Sequence, residues 1–272
     1  MDDTKSNSQA PAVTVPPVKL KLACVSKTYS SGTQDVEALE PVNIEIRAGE
    51  FVVFFGPSGC GKSTLLNIGS GLAAPSEGEA FVDGERVEGP NAHVAFMLQK
   101  DLLLPWRTVV ENVMFGVEIQ GVAAAERRRR AQALLENLKL AEFSGHYPHQ
   151  LSGGMRQRVA LARTLAVDPT VLLLDEPFSA VDAQTRMVLQ RELAQTLKRA
   201  GKTALLITHD LMEAVTLSDR VLVMSRRPGR IIDEIVIDIP DRDEPLKRRL
   251  HPKVNDYVNR LMERLDIGTA AA

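Results

Sequence analysis

The chain has 272 residues with a formal net charge of −2, 44% of them hydrophobic and 25% charged, the balance of a soluble globular protein. That charge gives no electrostatic reason for a nucleic-acid partner, and no apolar stretch reaches the about 20 residues that a membrane-crossing helix needs. The N-terminus lacks the basic flank and apolar core of a secretory signal.

In chain order, residues 1–17 are small and polar, with Pro11, Pro16 and Pro17. They offer too little apolar surface to offset ordering, and a disordered leader is expected. Lys19 to Val25 and Val42 to Ile46 alternate apolar and polar residues as half-buried strands do. Ala80–Val82 and Val94–Phe96 add short strands. Together they predict an antiparallel β portion around the apolar run Phe51 to Phe55. Residues 107–166 are mostly helical in pattern, and Glu126 to Leu140 sets Ala131, Leu134, Leu135 and Leu138 on one face. The run Arg127 to Arg130 within it reads as a solvated face. Val171–Leu174, Thr203–Ile207 and Val221–Met224 are continuous apolar runs, the pattern of buried parallel strands. From Arg226 a Pro228-Gly229 turn leads into alternating Ile231, Ile235, Ile237 and Ile239. His251 to Leu265 then forms an amphipathic helix, which would dock on its own domain or on a partner.

Three segments carry chemistry. Gly56-Pro57-Ser58-Gly59-Cys60-Gly61-Lys62-Ser63 follows the Phe51–Phe55 strand and precedes Thr64-Leu65-Leu66. This is the phosphate-binding P-loop, G-x-x-x-x-G-K-[ST]. Its glycines let the backbone curl so that N–H groups converge on one phosphate chain, and the following helix aims its positive end at the same anion. Lys62 reaches the β- and γ-phosphates and Ser63 ligates Mg²⁺. The chain therefore binds a nucleoside triphosphate. Of the two cysteines, Cys24 and Cys60, the second lies inside this loop. A disulfide there would obstruct the nucleotide, so a reduced cytoplasmic protein is expected. Its place near a helix N-terminus and Lys62 predicts a reactive thiol. Val171–Leu174 ends in Asp175-Glu176, carboxylates at a strand terminus: Asp175 to hold Mg²⁺ and Glu176 to polarise the attacking water. Leu151-Ser152-Gly153-Gly154-Met155-Arg156-Gln157-Arg158 opens an Ala- and Leu-rich helix. Its uncovered N–H groups suit an anion, or Ser152 is a plain helix cap.

The P-loop, Gln99, the Leu151–Gln157 element, Asp175-Glu176, Ser179-Ala180-Val181-Asp182 and Ile207-Thr208-His209-Asp210 together resemble the nucleotide-binding subunit of the ABC transporter family, over about residues 19–240. The resemblance implies an α/β fold: a RecA-like P-loop core with an antiparallel β subdomain and an inserted helical subdomain at about 103–160. The nucleotide-binding domain would span 18–243, with a C-terminal helix and tail at 244–272. By the same resemblance Tyr29 stacks on adenine, unless it is a core tyrosine. Gln99 touches Mg²⁺ or the attacking water, His209 contacts the γ-phosphate, and Asp182 lies at a dimer seam. Ser152, Gly153, Gly154 and Gln157 complete the P-loop site of a second, identical subunit paired head to tail.

The implied activity is ATP hydrolysis with Mg²⁺, coupled to import through separate permease subunits and fed by a periplasmic binding protein. The implied place is peripheral, on the cytoplasmic face of the inner membrane. Asp101-Leu102-Leu103-Leu104-Pro105-Trp106 and Met224 to Ile231 are similar to importers of nitrate, sulfonates and taurine. Leu102–Trp106 is either local core or the surface that receives the permease. The competing reading is a soluble ABC protein acting on ribosomes or DNA. Against it stand the single P-loop and the short interval of 52 residues between Gln99 and Ser152.

Overall fold

The computed structural model describes residues 15–265 except 31, 33 and 180; all but the last three residues of the expected leader, and the tail beyond 265, lie outside them. Strands β1 (Val18–Ser30) and β2 (Asp35–Arg47) pair antiparallel. Strand β3 (Phe51–Phe55) runs into the P-loop and helix α1 (Lys62–Gly69). Next come β4 (Glu77–Val82), β5 (Glu85–Arg86) and β6 (Val94–Met97). Helices α2 (Val109–Ile119), α3 (Ala124–Asn137) and α4 (Gly153–Ala166) form the helical arm. The chain then alternates β7 (Val171–Asp175), α5 (Ala183–Arg199), β8 (Thr203–Thr208), α6 (Leu211–Leu217) and β9 (Arg220–Met224). Strand β10 (Ile231–Val236) and helices α7 (Pro245–Arg249) and α8 (Val254–Arg264) complete it.

Two sheets result. One has the order β2-β1-β4-β5 and is antiparallel; the other has the order β10-β9-β3-β8-β7-β6. In the second, β9, β3, β8, β7 and β6 are parallel and only β10 is antiparallel. One strand expectation is corrected here. Val94–Phe96 does not join the antiparallel portion; β6 pairs in parallel with β7, Val94 opposite Val171. A four-residue run looks alike in either sheet, and only its long-range partner decides.

The alternation of side chains along β3 shows why its whole sequence is apolar. Phe51, Val53 and Phe55 point into one core with the helices. Val52 and Phe54 point into a second core with the antiparallel sheet and α1. Both faces are covered, so no position tolerates a polar residue. Each such side chain contributes about 1.5–3 kcal/mol by leaving water. Strands β7, β8 and β9 divide their residues between the same two cores. The P-loop thus leaves the sheet from a strand buried on both faces.

The helical arm is set by local chemistry. Thr108 caps α2 in a capping box with Glu111. Ala131 and Leu135 bury one face of α3, while Arg129 and Arg130 bind Glu126 on its open face and hold that carboxyl at about 2. Helix α8 buries Val254 and Leu261 and lies against α6, so it docks on its own chain. No described helix is long and apolar enough to cross a membrane.

Candidate nucleotide site

At the end of β3 the loop turns through Gly61, whose φ of 104° lies in the region that favours glycine. A Cβ there would also meet Leu39 Cδ2 at 2.5 Å and the Ala38 carbonyl at 2.9 Å. Gly61 is the N-cap of α1, and no side chain caps the helix. Its first-turn N–H groups therefore open toward the loop, which fits a phosphate. Lys62, 7% exposed, donates to the carbonyls of Gly56 at 2.7 Å and Pro57 at 2.8 Å. Ser58, Gly59 and Ser63 stay exposed on the rim, and Thr64 is half-buried. The Cys60 thiol differs from expectation. It is buried at 1% beneath the loop, 3.7 Å from Lys62 Nζ, so only its backbone faces a ligand and it is not the reactive thiol foreseen. The exposed cysteine is Cys24.

Beside the loop, β7 ends in its two carboxylates. Burial pushes the Asp175 carboxyl up, the Ser63 hydroxyl pulls it back, and Glu176 adds to the rise. Ser63 and Asp175 thus meet as a hydroxyl–carboxylate pair, an oxygen set of the kind that suits Mg²⁺. Glu176 has a φ of 45°, held by its N–H donating to Ile207 O at 3.0 Å. Two expected partners converge on its Oε2: Gln99 Nε2 at 3.4 Å and His209 Nδ1 at 3.3 Å. Gln99 Nε2 also reaches Ser179 Oγ at 3.4 Å. Two residues far apart in sequence therefore meet at one carboxylate.

The Leu151–Gln157 element lies at the start of α4. Ser152 Oγ accepts from Met155 N–H at 3.3 Å, so it is a helix cap, while Ser152 itself remains exposed and Gly153 and Gly154 half-buried. Gln157 is 4% exposed, and its amide donates to Gln99 O at 3.3 Å, so within this subunit its side chain turns inward. Asp182 caps α5 by accepting from Thr185 N–H at 3.1 Å, which lowers its carboxyl. It is exposed, as a seam residue requires. Tyr29 is 44% exposed at the end of β1, with Lys27 Nζ 5.2 Å from its ring centre; it is not a core tyrosine.

A family model described as ABC transporter matches residues 39–179. The chain is 43% identical over 251 residues to the taurine import ATP-binding protein TauB of Burkholderia pseudomallei (91% of this chain, 96% of that one). It is 44% identical over 232 residues to the nitrate import ATP-binding protein NrtD of a Synechocystis species (85% and 87%). The chain belongs to the ABC transporter family. Its fold matches the dimeric structure of the ATP-binding cassette MJ0796 in a post-hydrolysis state, bound to ADP and Pi, with a TM-score of 0.73 and 35% identity over 81% of this chain and 99% of that one. As an ABC cassette the chain binds and hydrolyses ATP, and relatives named as import subunits weigh against the ribosome or DNA reading.

Sequence reasoning about this ABC cassette missed several residues. Gly229, in the turn between β9 and β10, backs the P-loop: a Cβ there would overlap the Cys60 carbonyl oxygen. Fully buried Asn112 accepts from Leu104 N–H at 2.8 Å and donates to the carbonyls of Leu104, Arg107 and Thr108. It thereby fixes the loop before α2; the sole signal was an Asn at a position where a helix should carry an apolar residue. In that loop Leu103 is 8% exposed and belongs to the core, whereas Trp106 is 72% exposed and Leu102 also faces outward. The segment is therefore both things at once, core at Leu103 and open apolar surface on either side.

Proposed function

We propose that this chain is the ATP-hydrolysing subunit of an importer for a small oxyanion or organic sulfonate of the nitrate or taurine class. The convergence of Gln99 and His209 on Glu176 Oε2 beside the P-loop carries the hydrolytic part of the reading, and similarity to taurine and nitrate import ATP-binding proteins supports the cargo class. Lys62 and the first-turn N–H groups of α1 hold the β- and γ-phosphates. Glu176 accepts a proton from the attacking water as the bond to the leaving diphosphate oxygen breaks, while Gln99 orients that water and His209 contacts the γ-phosphate. Ser63, Asp175 and Gln99 would hold Mg²⁺, which supplies charge neutralisation on the phosphates when bound. Tyr29 provides a half-open ring for the adenine.

Two copies would pair head to tail, so that Ser152, Gly153 and Gly154 of one face the P-loop of the other and Asp182 lies at the seam. The dimeric state of the similar cassette supports this pairing. The exposed pair Leu102 and Trp106 would receive the permease, on the cytoplasmic face of the membrane, with a periplasmic binding protein supplying the solute and no nucleic acid involved. We read residues 18–243 as the nucleotide-binding domain, about 103–160 as its helical subdomain, and 244–272 as its C-terminal extension.

The test is Glu176→Gln. The amide keeps the shape and cannot accept the proton, so turnover should fall about 10²–10⁴-fold while ATP still binds. Wild-type turnover in this variant would remove Glu176 from its role. Trp106→Glu should keep soluble turnover and lose co-purification with the permease. Growth of a deletion strain on nitrate, taurine and alkanesulfonates decides the cargo, and normal growth on all three would refute the proposed class.

A further inference from the structure

Arg248 of α7 lies beyond the residues matched by the family model. It is 1% exposed and ranks among the largest fully buried side chains. Its guanidinium donates Nη1 to Thr216 O at 3.0 Å and to Ser218 O at 2.8 Å, and Nη2 to Ile239 O at 2.7 Å. All three acceptors are backbone carbonyls, and two of them close the C-terminal end of α6. Those are the carbonyls that a helix leaves without partners, at the end that favours a cation. Burial lowers its pKa to about 10, which leaves it charged at neutral pH.

The other end of α6 carries His209. Asp210 caps the helix, its Oδ1 accepting from Met212 N–H at 2.8 Å and Glu213 N–H at 3.0 Å. Buried Glu213 accepts from Thr208 Oγ1 at 2.5 Å and Gln190 Nε2 at 2.9 Å. Thr208 Oγ1 in turn accepts from Asp210 N–H at 3.0 Å. His209 is thus held between two residues bonded to the first turn of α6. The helix has seven residues, a rod of about 10 Å. A slide or fraying at its Arg248 end reaches His209 at the other.

We propose that Arg248 is a positioning residue for ATP hydrolysis, fixing α6 so that His209 stands against Glu176. The C-terminal extension is then part of the hydrolytic machinery through this one side chain. The inference rests on the reading of His209 as a γ-phosphate contact.

The experiment is a double-mutant cycle on the full chain, reading kcat and KM for MgATP. Arg248→Met should lower kcat about tenfold and leave KM within about twofold, because the P-loop is untouched. Arg248→Lys, which keeps the charge and loses the fork, should fall between. On a His209→Ala background, Arg248→Met should lower kcat by no more than about twofold further. The His209 imidazole resonance, identified by its loss in His209→Ala, should shift in Arg248→Lys and stay in place in Arg249→Met. Wild-type kcat in Arg248→Met, or a full multiplicative loss on the His209→Ala background, overturns the inference. If Arg248→Met does not fold, Arg248→Lys runs the same cycle, and an unmoved His209 resonance overturns the inference there. Full turnover in His209→Ala itself would instead sink the reading of His209, and this inference with it.

Discussion

The P-loop and the arm that carries Gln99 and the Leu151–Gln157 element are fixed by different means. The P-loop is wedged by backbone: Gly229 lies against the Cys60 carbonyl, and Gly61 against Ala38 and Leu39. Its lysine is folded onto loop carbonyls. The arm is tied by side chains instead. Arg156 Nε meets Asp101 Oδ2 at 3.0 Å, Arg163 donates to the carbonyls of Asp101 and Leu102, and Gln157 donates to Gln99 O. Packed backbone has one arrangement, whereas polar ties across a loop are individually modest. The difference teaches that the anion cradle is preformed by packed backbone, whereas the link between the Gln99–Leu102 loop and α4 depends on polar ties that can be cut one at a time.

Changes that strike packing should therefore cost more than changes that cut ties. The largest effect is expected from Leu103→Asp, which places an unpaired carboxylate in the core and should cost about 3–5 kcal/mol in urea unfolding. Unchanged stability there would mean the arm is not anchored by Leu103. Gly229→Ala comes next. The overlap with Cys60 O must push the loop aside, at about 1–3 kcal/mol, and ATP affinity measured by calorimetry should drop by about tenfold. If ATP binds as before, the cradle is more yielding than its packing implies.

Asp101→Ala should be milder, about 0.5–1 kcal/mol, because the ion pair with Arg156 is partly open to solvent. ATP affinity should not change. A loss of affinity equal to that of Gly229→Ala would erase the distinction between the two regions.

The smallest effect is one of pH. Burial raises the Glu213 carboxyl above its ordinary value of 4.5. The folded state then holds its proton more tightly than the unfolded chain. The stability contributed by that proton is fully present below about pH 4.5 and is lost as pH rises through the raised folded value. Glu213→Gln removes that loss, so its stability relative to wild type should improve between pH 4.5 and 7.5. Parallel pH profiles from urea titrations would show that Glu213 titrates as it does in the unfolded chain.

Much of this was legible in the chain. The apolar runs at Phe51, Val171, Thr203 and Val221 could only be strands covered on both faces, and each emerges in one parallel sheet. The glycine loop announced its ligand because only a curled backbone before a helix presents so many N–H groups to one anion. The amphipathic spacing from Val254 to Leu265 foretold a docked helix for the same local reason.

What the sequence by itself determined about this protein is therefore what local pattern encodes: period, punctuation and motif, each read within a few residues. Tertiary structure alone decided which sheet takes Val94–Met97, that Cys60 is sealed under the loop and that Gln157 turns inward to Gln99. It also decided that Leu103 is core between exposed neighbours, and that Arg248 grips a helix some 30 residues before it. Each of these depends on a partner distant in sequence, and burial is a property of the pair, not of either residue read alone.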